Sequence, residues 1–349
     1  RRADPEAKIM AAGYPTVARV WHRRAAKAGA MKNLDILSIH IYAGQQEPEE
    51  KLAKVQDALK HFRSLLDEYG DGRRLPVWDS EGGVESTTFL RGVEFPLLAP
   101  EEKRAPQNWR ETAISTVQFE AILQMLGVEK NFMYLQNRVG PNGSDGYSNL
   151  STLDVNNAPK PYLMARAAMQ EQLDYTRFFK AVRREEIRFW AFVFRHKSDL
   201  AQSRVLFWCG PGGELELAAS WPGGGRLVDL MGNESAFEPG KPLRITEEPA
   251  YLALHVPAEA VAQALEAAAL TVKKAPKPFV AKHTDTGHGV PLLPDYSAPA
   301  EAPSRLFTVD LRGFCNMGLA DEMAGDGRGG WADEGDLNDL RDLETGRRS

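Results

Sequence analysis

The sequence predicts an α/β chain: half of a (β/α)8 TIM barrel, an all-β sandwich, and the start of a further β-module. Three observations predict it. Between residues 7 and 173 short apolar runs alternate with amphipathic stretches, the order that builds a parallel sheet through right-handed crossovers. From Trp190 the hydrophobic period changes to two, as half-buried strands require. After a proline-rich stretch a new apolar run begins at Leu306. The divisions expected are 1–176, 177–256, 257–304 and 305–349.

Each element follows from local pattern. Residues 7–11 form a short apolar strand, and 16–30 a helix with Val17, Val20, Trp21 and Ala28 on one side. Residues 34–42 are apolar throughout apart from Asp35, Ser38 and His40, which suits a strand buried on both faces. Leu52, Val55, Leu59, Phe62 and Leu66 recur at helical spacing over 48–69, and Gly70 and Gly72 end that helix. Residues 75–78 form the next strand. A helix near 109–126 carries Ile114, Val117 and Ala121, 132–135 is the fourth strand, and a helix from about 160 to 173 has Pro161 in its first turn. Four strands and four helices are half of what a closed eight-stranded barrel needs.

Beyond residue 176, alternating Trp190, Phe192 and Phe194 lead into strands at 205–208, 215–217, 227–230, 243–245 and 251–256. Gly/Pro turns such as 210–213 and 222–225 separate them, a spacing typical of an antiparallel sandwich. Trp190, Trp208 and Trp221 have faces suited to sugar rings, but core packing is the commoner use of such residues. An Ala-rich helix near 258–269 opens the connector. Lys273, Lys274, Lys277 and six prolines between Pro276 and Pro303 then make an extended spacer.

Where these strands end is informative. Glu81 follows the 75–78 strand and precedes Gly82 and Gly83; glycines let a substrate approach the backbone. His40 and Tyr42 stand at the exit of the preceding strand. In a (β/α) barrel, strand exits carry the chemistry. A net charge of −5 gives no footprint for nucleic acid, and apolar runs far shorter than about 18 residues give no membrane-spanning helix. Cys209 and Cys315 lie too far apart in the chain to suggest a metal site or a disulfide framework. No cofactor or metal is expected, and protein partners are unknown.

Together, Asp35, Ser38, His40 and Tyr42 on one strand and Pro76, Val77, Trp78, Ser80 and Glu81 on the next resemble strands six and seven of clan A glycoside hydrolases. Residues 129–137 resemble strand eight, and 158–162 the start of the last barrel helix. The segment at 4–9 resembles the entry to strand five. This resemblance covers about residues 4–175 and makes the expected half the second one.

It implies a retaining glycosidase in which Glu81 is the nucleophile and Tyr42 orients it by a hydrogen bond. His40, Trp78, Tyr134 and Gln136 would contact a carbohydrate substrate. The acid/base glutamate of such enzymes follows an asparagine at the end of strand four; Asn233–Glu234 is the one such pair here, and it lies far downstream. The chain is therefore expected to be a fragment, inactive by itself, of a secreted or periplasmic polysaccharide-degrading enzyme. The alternative is a non-catalytic carbohydrate-binding or scaffold protein with a degenerate barrel. A metal-dependent hydrolase using His40 and Glu81 is disfavoured, because no second His or Asp stands at a neighbouring strand exit. Residues 305–349 resemble the opening of galactose-binding-like modules.

Overall fold

A computed structural model of the chain describes residues 6–11, 13–15, 19–43, 47–84, 109–133, 159–219, 221 and 223–279. The predicted strand and module at 305–349, most of the connector, and Tyr134 and Gln136 lie outside them. The architecture is mixed α/β.

A parallel sheet is built first. β1 (Tyr14–Pro15), β2 (Leu37–Tyr42), β3 (Val77–Gly83) and β4 (Val128–Met133) pair in chain order. The segment expected as a strand at 7–11 makes one isolated bridge, Met10 to Ile36. Its amide at Ile9 is taken by the Asp35 side chain at 2.8 Å, so a continuous ladder does not form there.

The helices follow these strands in sequence, α1 (Arg19–Lys27) and α2 (Ala30–Asn33) after β1, α3 (Pro48–Tyr69) after β2, α4 (Trp109–Met125) after β3 and α5 (Pro161–Leu173) after β4. α3 begins where Glu47 and Glu50 close a capping box around Pro48. It buries the expected Leu52, Val55, Leu59, Phe62 and Leu66. α1 departs from expectation: Trp21 is half exposed, whereas His22 and Ala26 are buried. The reason is contact with α3, where the His22 ring lies 4.7 Å from Phe62 and 5.3 Å from His61.

The rest of the described chain is antiparallel. β5 (Thr176–Arg184), β6 (Phe189–His196), β7 (Ser203–Trp208), β9 (Gly225–Val228), β10 (Glu234–Phe237) and β12 (Ala250–Leu254) form one sheet. β8 (Glu214–Ala218), β11 (Leu243–Thr246) and β13 (Ala269–Lys274) form a second, with β8 in the middle. Both sheets and α6 (Ala258–Ala267) contribute to one apolar cluster. Thus α6 and β13, expected in the connector, belong to the folded region. Val261 and Leu265 are buried in its core, and β13 completes β8.

The other face of the larger sheet joins the helical core through Trp190, Phe192, Trp208 and Tyr251. Trp190 and Trp208 stack at 5.9 Å and are at most 1% exposed. Trp221 is also buried, edge-on to Phe237. All three tryptophans are core residues here, with no free face for a sugar.

Arg188 ties the two regions together. It follows the 3-10 turn Glu185–Ile187, with φ of 50° and 5% exposure. Its guanidinium grips Glu49 through two bonds at 2.9 and 2.6 Å, reaches Glu47, and donates to the Lys277 carbonyl at 2.7 Å. A Cβ at Gly210 would come within 2.9 Å of it. The start of α3 and the segment after β13 are therefore fixed to one buried cation.

Behind that clamp, Lys51 is wholly buried against α4, with Nζ 3.4 Å from Gln118 Oε1. Burial drives its pKa down to about 7, opposed by the carboxylates of Glu50, Glu49 and Glu47. The unfolded chain therefore holds a proton that the folded chain lacks between about pH 7 and 10.5, and stability should rise with pH across that window. Lys51→Met is predicted to stabilise the chain at pH 6 by about 1–4 kcal/mol, with the gain fading above pH 10. Denaturation series at several pH values check this; a gain that does not vary with pH would place the Lys51 proton elsewhere.

Candidate active site

Alternation along β2 puts Ile39 and Ile41 against the helices, both 0% exposed, and Ser38, His40 and Tyr42 on the opposite face. On β3, Val77 and Asp79 face the helices in the same way, and period two would send residue 81 after them. It does not go there. The register runs Ile39 to Asp79, His40 to Glu81 and Ile41 to Gly82, so Ser80 is an inserted residue. The same step shows against β4, where Asp79 pairs with Asn131 and Gly82 with Met133. This is a β-bulge, a device that re-aims a side chain and is rare between parallel strands. Ser80 Oγ hydrogen-bonds Ser38 Oγ, and Glu81 emerges on the face that carries His40 and Tyr42.

Three predicted residues meet there. Tyr42 Oη donates to Glu81 Oε1 at 2.6 Å, and His40 Nδ1 lies 3.7 Å from Glu81 Oε2. The Glu81 side chain is 39% exposed and that of His40 21%, so the carboxyl group is held yet open to a ligand. Burial lowers the His40 pKa, with the nearby Glu81 partly offsetting this. A neutral imidazole therefore sits beside the carboxyl group at neutral pH. Lys54 Nζ bonds the Tyr42 carbonyl, which pins the end of β2 to α3.

Trp78 occupies the same face, about 10 Å back along the strand at about 3.3 Å per residue. Lys130 Nζ stands 4.0 Å over its ring, and Phe132, 49% exposed, is 6.0 Å away. Trp78 thus lies further back along β3 than Glu81, the residue that Tyr42 and His40 face. Tyr134 and Gln136 fall outside the described residues. Glu234, of the downstream Asn–Glu pair, is on β10 in an exposed ion pair with Arg226 at 2.8 Å.

Two residues were missed from sequence. Gly13, just before β1, lies against His40: a Cβ there would fall 1.6 Å from the imidazole Nε2. Asp79 is fully buried under the site, accepting from the Ile41 amide and from Asn131 Nδ2, both at 3.1 Å. Burial is the main cause raising its pKa to about 7, the Ile41 amide opposing and Glu120 and Glu81 adding to the rise. The adjacent carboxylates at 79 and 81 were the only signal for it. Cys209 is no nucleophile, since burial pushes its thiol up to about 12. Among the described residues, no cluster of three or more His, Cys, Asp or Glu could hold a metal ion.

The sequence matches no family model and no curated relative. Solved structures that it resembles include glycoside hydrolases. One, a family 39 glycoside hydrolase from Bacteroides cellulosilyticus WH2, is 18% identical with a TM-score of 0.47, over 66% of this chain and 46% of that one. Two family 51 arabinofuranosidases, from Xanthomonas axonopodis pv. citri and Thermotoga petrophila RKU-1, are 10% identical, with TM-scores of 0.43 and 0.46. Each match covers 72% of this chain and 59% of the other. The chain spans about half the length of the solved structures it matches.

Gly13→Ala is predicted to push the imidazole off its seat and destabilise the fold by about 1–3 kcal/mol. Denaturation, together with the His40 titration midpoint by NMR, checks it; if neither changes, the ring does not rest on Gly13.

Proposed function

We propose that this chain is the second half of a (β/α)8 barrel, with an attached β-sandwich, from a retaining glycoside hydrolase acting on a carbohydrate substrate. The observation that carries the proposal is the 2.6 Å bond from Tyr42 to Glu81 at the exits of adjacent parallel strands, with His40 alongside. In a barrel of this type, catalytic side chains project from these strand ends.

Glu81 attacks the anomeric carbon and forms a glycosyl–enzyme ester, and water later releases the sugar. Tyr42 fixes Oε1, so the carboxyl group presents one defined oxygen and keeps its plane. Neutral His40 shapes the pocket without neutralising the nucleophile. Double displacement needs a second carboxyl group about 5–5.5 Å away, which protonates the leaving oxygen and then activates water. We assign it to a barrel strand upstream of residue 1, and the 349-residue chain alone is then inactive.

The test uses the longer protein and an activated aryl glycoside. Glu81→Ala should abolish turnover, and azide should restore part of it as a glycosyl azide of inverted configuration. Wild-type turnover by Glu81→Ala would end the assignment. Tyr42→Phe removes one hydrogen bond to a charged group, worth about 1.5–3 kcal/mol, and should lower kcat/KM about ten- to hundredfold. An unchanged kcat/KM would show that Tyr42 does not serve Glu81 in the reaction.

A further inference from the structure

We propose that Asp79 is the positioning residue that holds the Ser80 bulge open and so turns Glu81 onto the face shared with Tyr42 and His40. The inserted residue takes β3 out of step with both neighbours at once. An inserted residue disrupts the ladder locally, and an amide left unpaired in a dry interior costs about 1–3 kcal/mol. Asp79 meets that demand from within the same strand. Its Oδ1 accepts the Ile41 amide of β2, and its Oδ2 accepts Asn131 Nδ2 of β4, so one carboxyl group bridges three strands at the bulge.

Gly82 completes the device. A Cβ there would lie 2.3 Å from Asp79 Oδ2 and 2.5 Å from the Ile41 carbonyl, so the carboxyl group occupies space that only glycine leaves. Asp79 touches no substrate; its effect on chemistry is through Glu81.

The inference extends the proposed function but makes a structural claim of its own, and its main readout does not need hydrolysis. Turning Glu81 away removes the attraction that raises the His40 pKa. In the full chain, Asp79→Ala and Gly82→Ala should lower the His40 titration midpoint in NMR by about as much as Glu81→Gln does. Asp79→Asn should restore it. The carboxamide oxygen of that variant can accept from Ile41, and its NH2 can donate to Asn131 Oδ1, which is buried without a hydrogen-bond partner among the described residues. Asp79→Asn keeps these bonds in a side chain that cannot ionise, so it separates bulge support from any charge on the Asp79 carboxyl group. In the longer protein, Asp79→Ala should reduce kcat about 10²-fold with KM little changed.

A folded Asp79→Ala with an unchanged His40 midpoint overturns the proposal, as does a midpoint in Asp79→Asn that falls like that of Asp79→Ala. Should Asp79→Ala fail to fold, Gly82→Ala and Asp79→Asn decide between the same outcomes. Loss of hydrolysis by all variants with no midpoint change would count against Asp79 and leave the assignment of Glu81 intact.

Discussion

One inserted residue in a parallel strand governs the geometry of this site. Strand side chains alternate, so Asp79 and Glu81 should share a face. Ser80 breaks that parity between them. One carboxyl group stays inside, bonded to the backbone of β2 and a side chain of β4, while the other meets a tyrosine and a histidine in the open. Two identical functional groups two positions apart thus acquire opposite environments. Asp79 is raised to about 7 chiefly by burial; Glu81 is left accessible to a ligand.

The scaffold that keeps these strands in place depends on both regions of the chain. The larger antiparallel sheet lends Trp190, Phe192, Trp208 and Tyr251 to the core that covers the parallel sheet. Arg188 then fixes Glu47 and Glu49 at the start of α3, the helix that follows β2 in the chain. Between α4 and α5, Arg166 and Glu120 form a further buried ion pair at 2.6 Å. Breaking one partner of such a pair strands a charge, which is what makes these contacts expensive to lose.

Much of this was legible from sequence, for physical reasons that differ by residue. α3 announced its buried face through the spacing of Leu52, Val55, Leu59, Phe62 and Leu66 and its end through Gly70, whereas the cap made by Glu47 and Glu50 emerged only in the structure. Tyr42, His40 and Glu81 stood out as polar residues closing apolar strands. The bulge was hidden, because hydrophobic pattern counts residues and cannot see which one is extra. Gly13 was hidden because its role comes from His40, distant in sequence. The buried face of α1 was misread because it is built on His22, a polar residue stacked on aromatic rings, while Trp21 faces outward. β13 escaped notice because nearly all of it is exposed, so Lys273 and Lys274 read as spacer rather than as a paired strand.

That last strand has a consequence for how the chain comes to be built. β8 sits between β11 and β13, so the central strand of the smaller sheet waits for a neighbour that ends at Lys274, 56 residues after its own last residue, Ala218 (274 − 218). At ribosomal rates of about 5–20 residues per second, that is roughly 3–11 s during which β8 has an open edge. The Lys277 carbonyl that Arg188 holds arrives later still. The edge of β8 and the Arg188 clamp are therefore completed only after residues 269–277 have been synthesised.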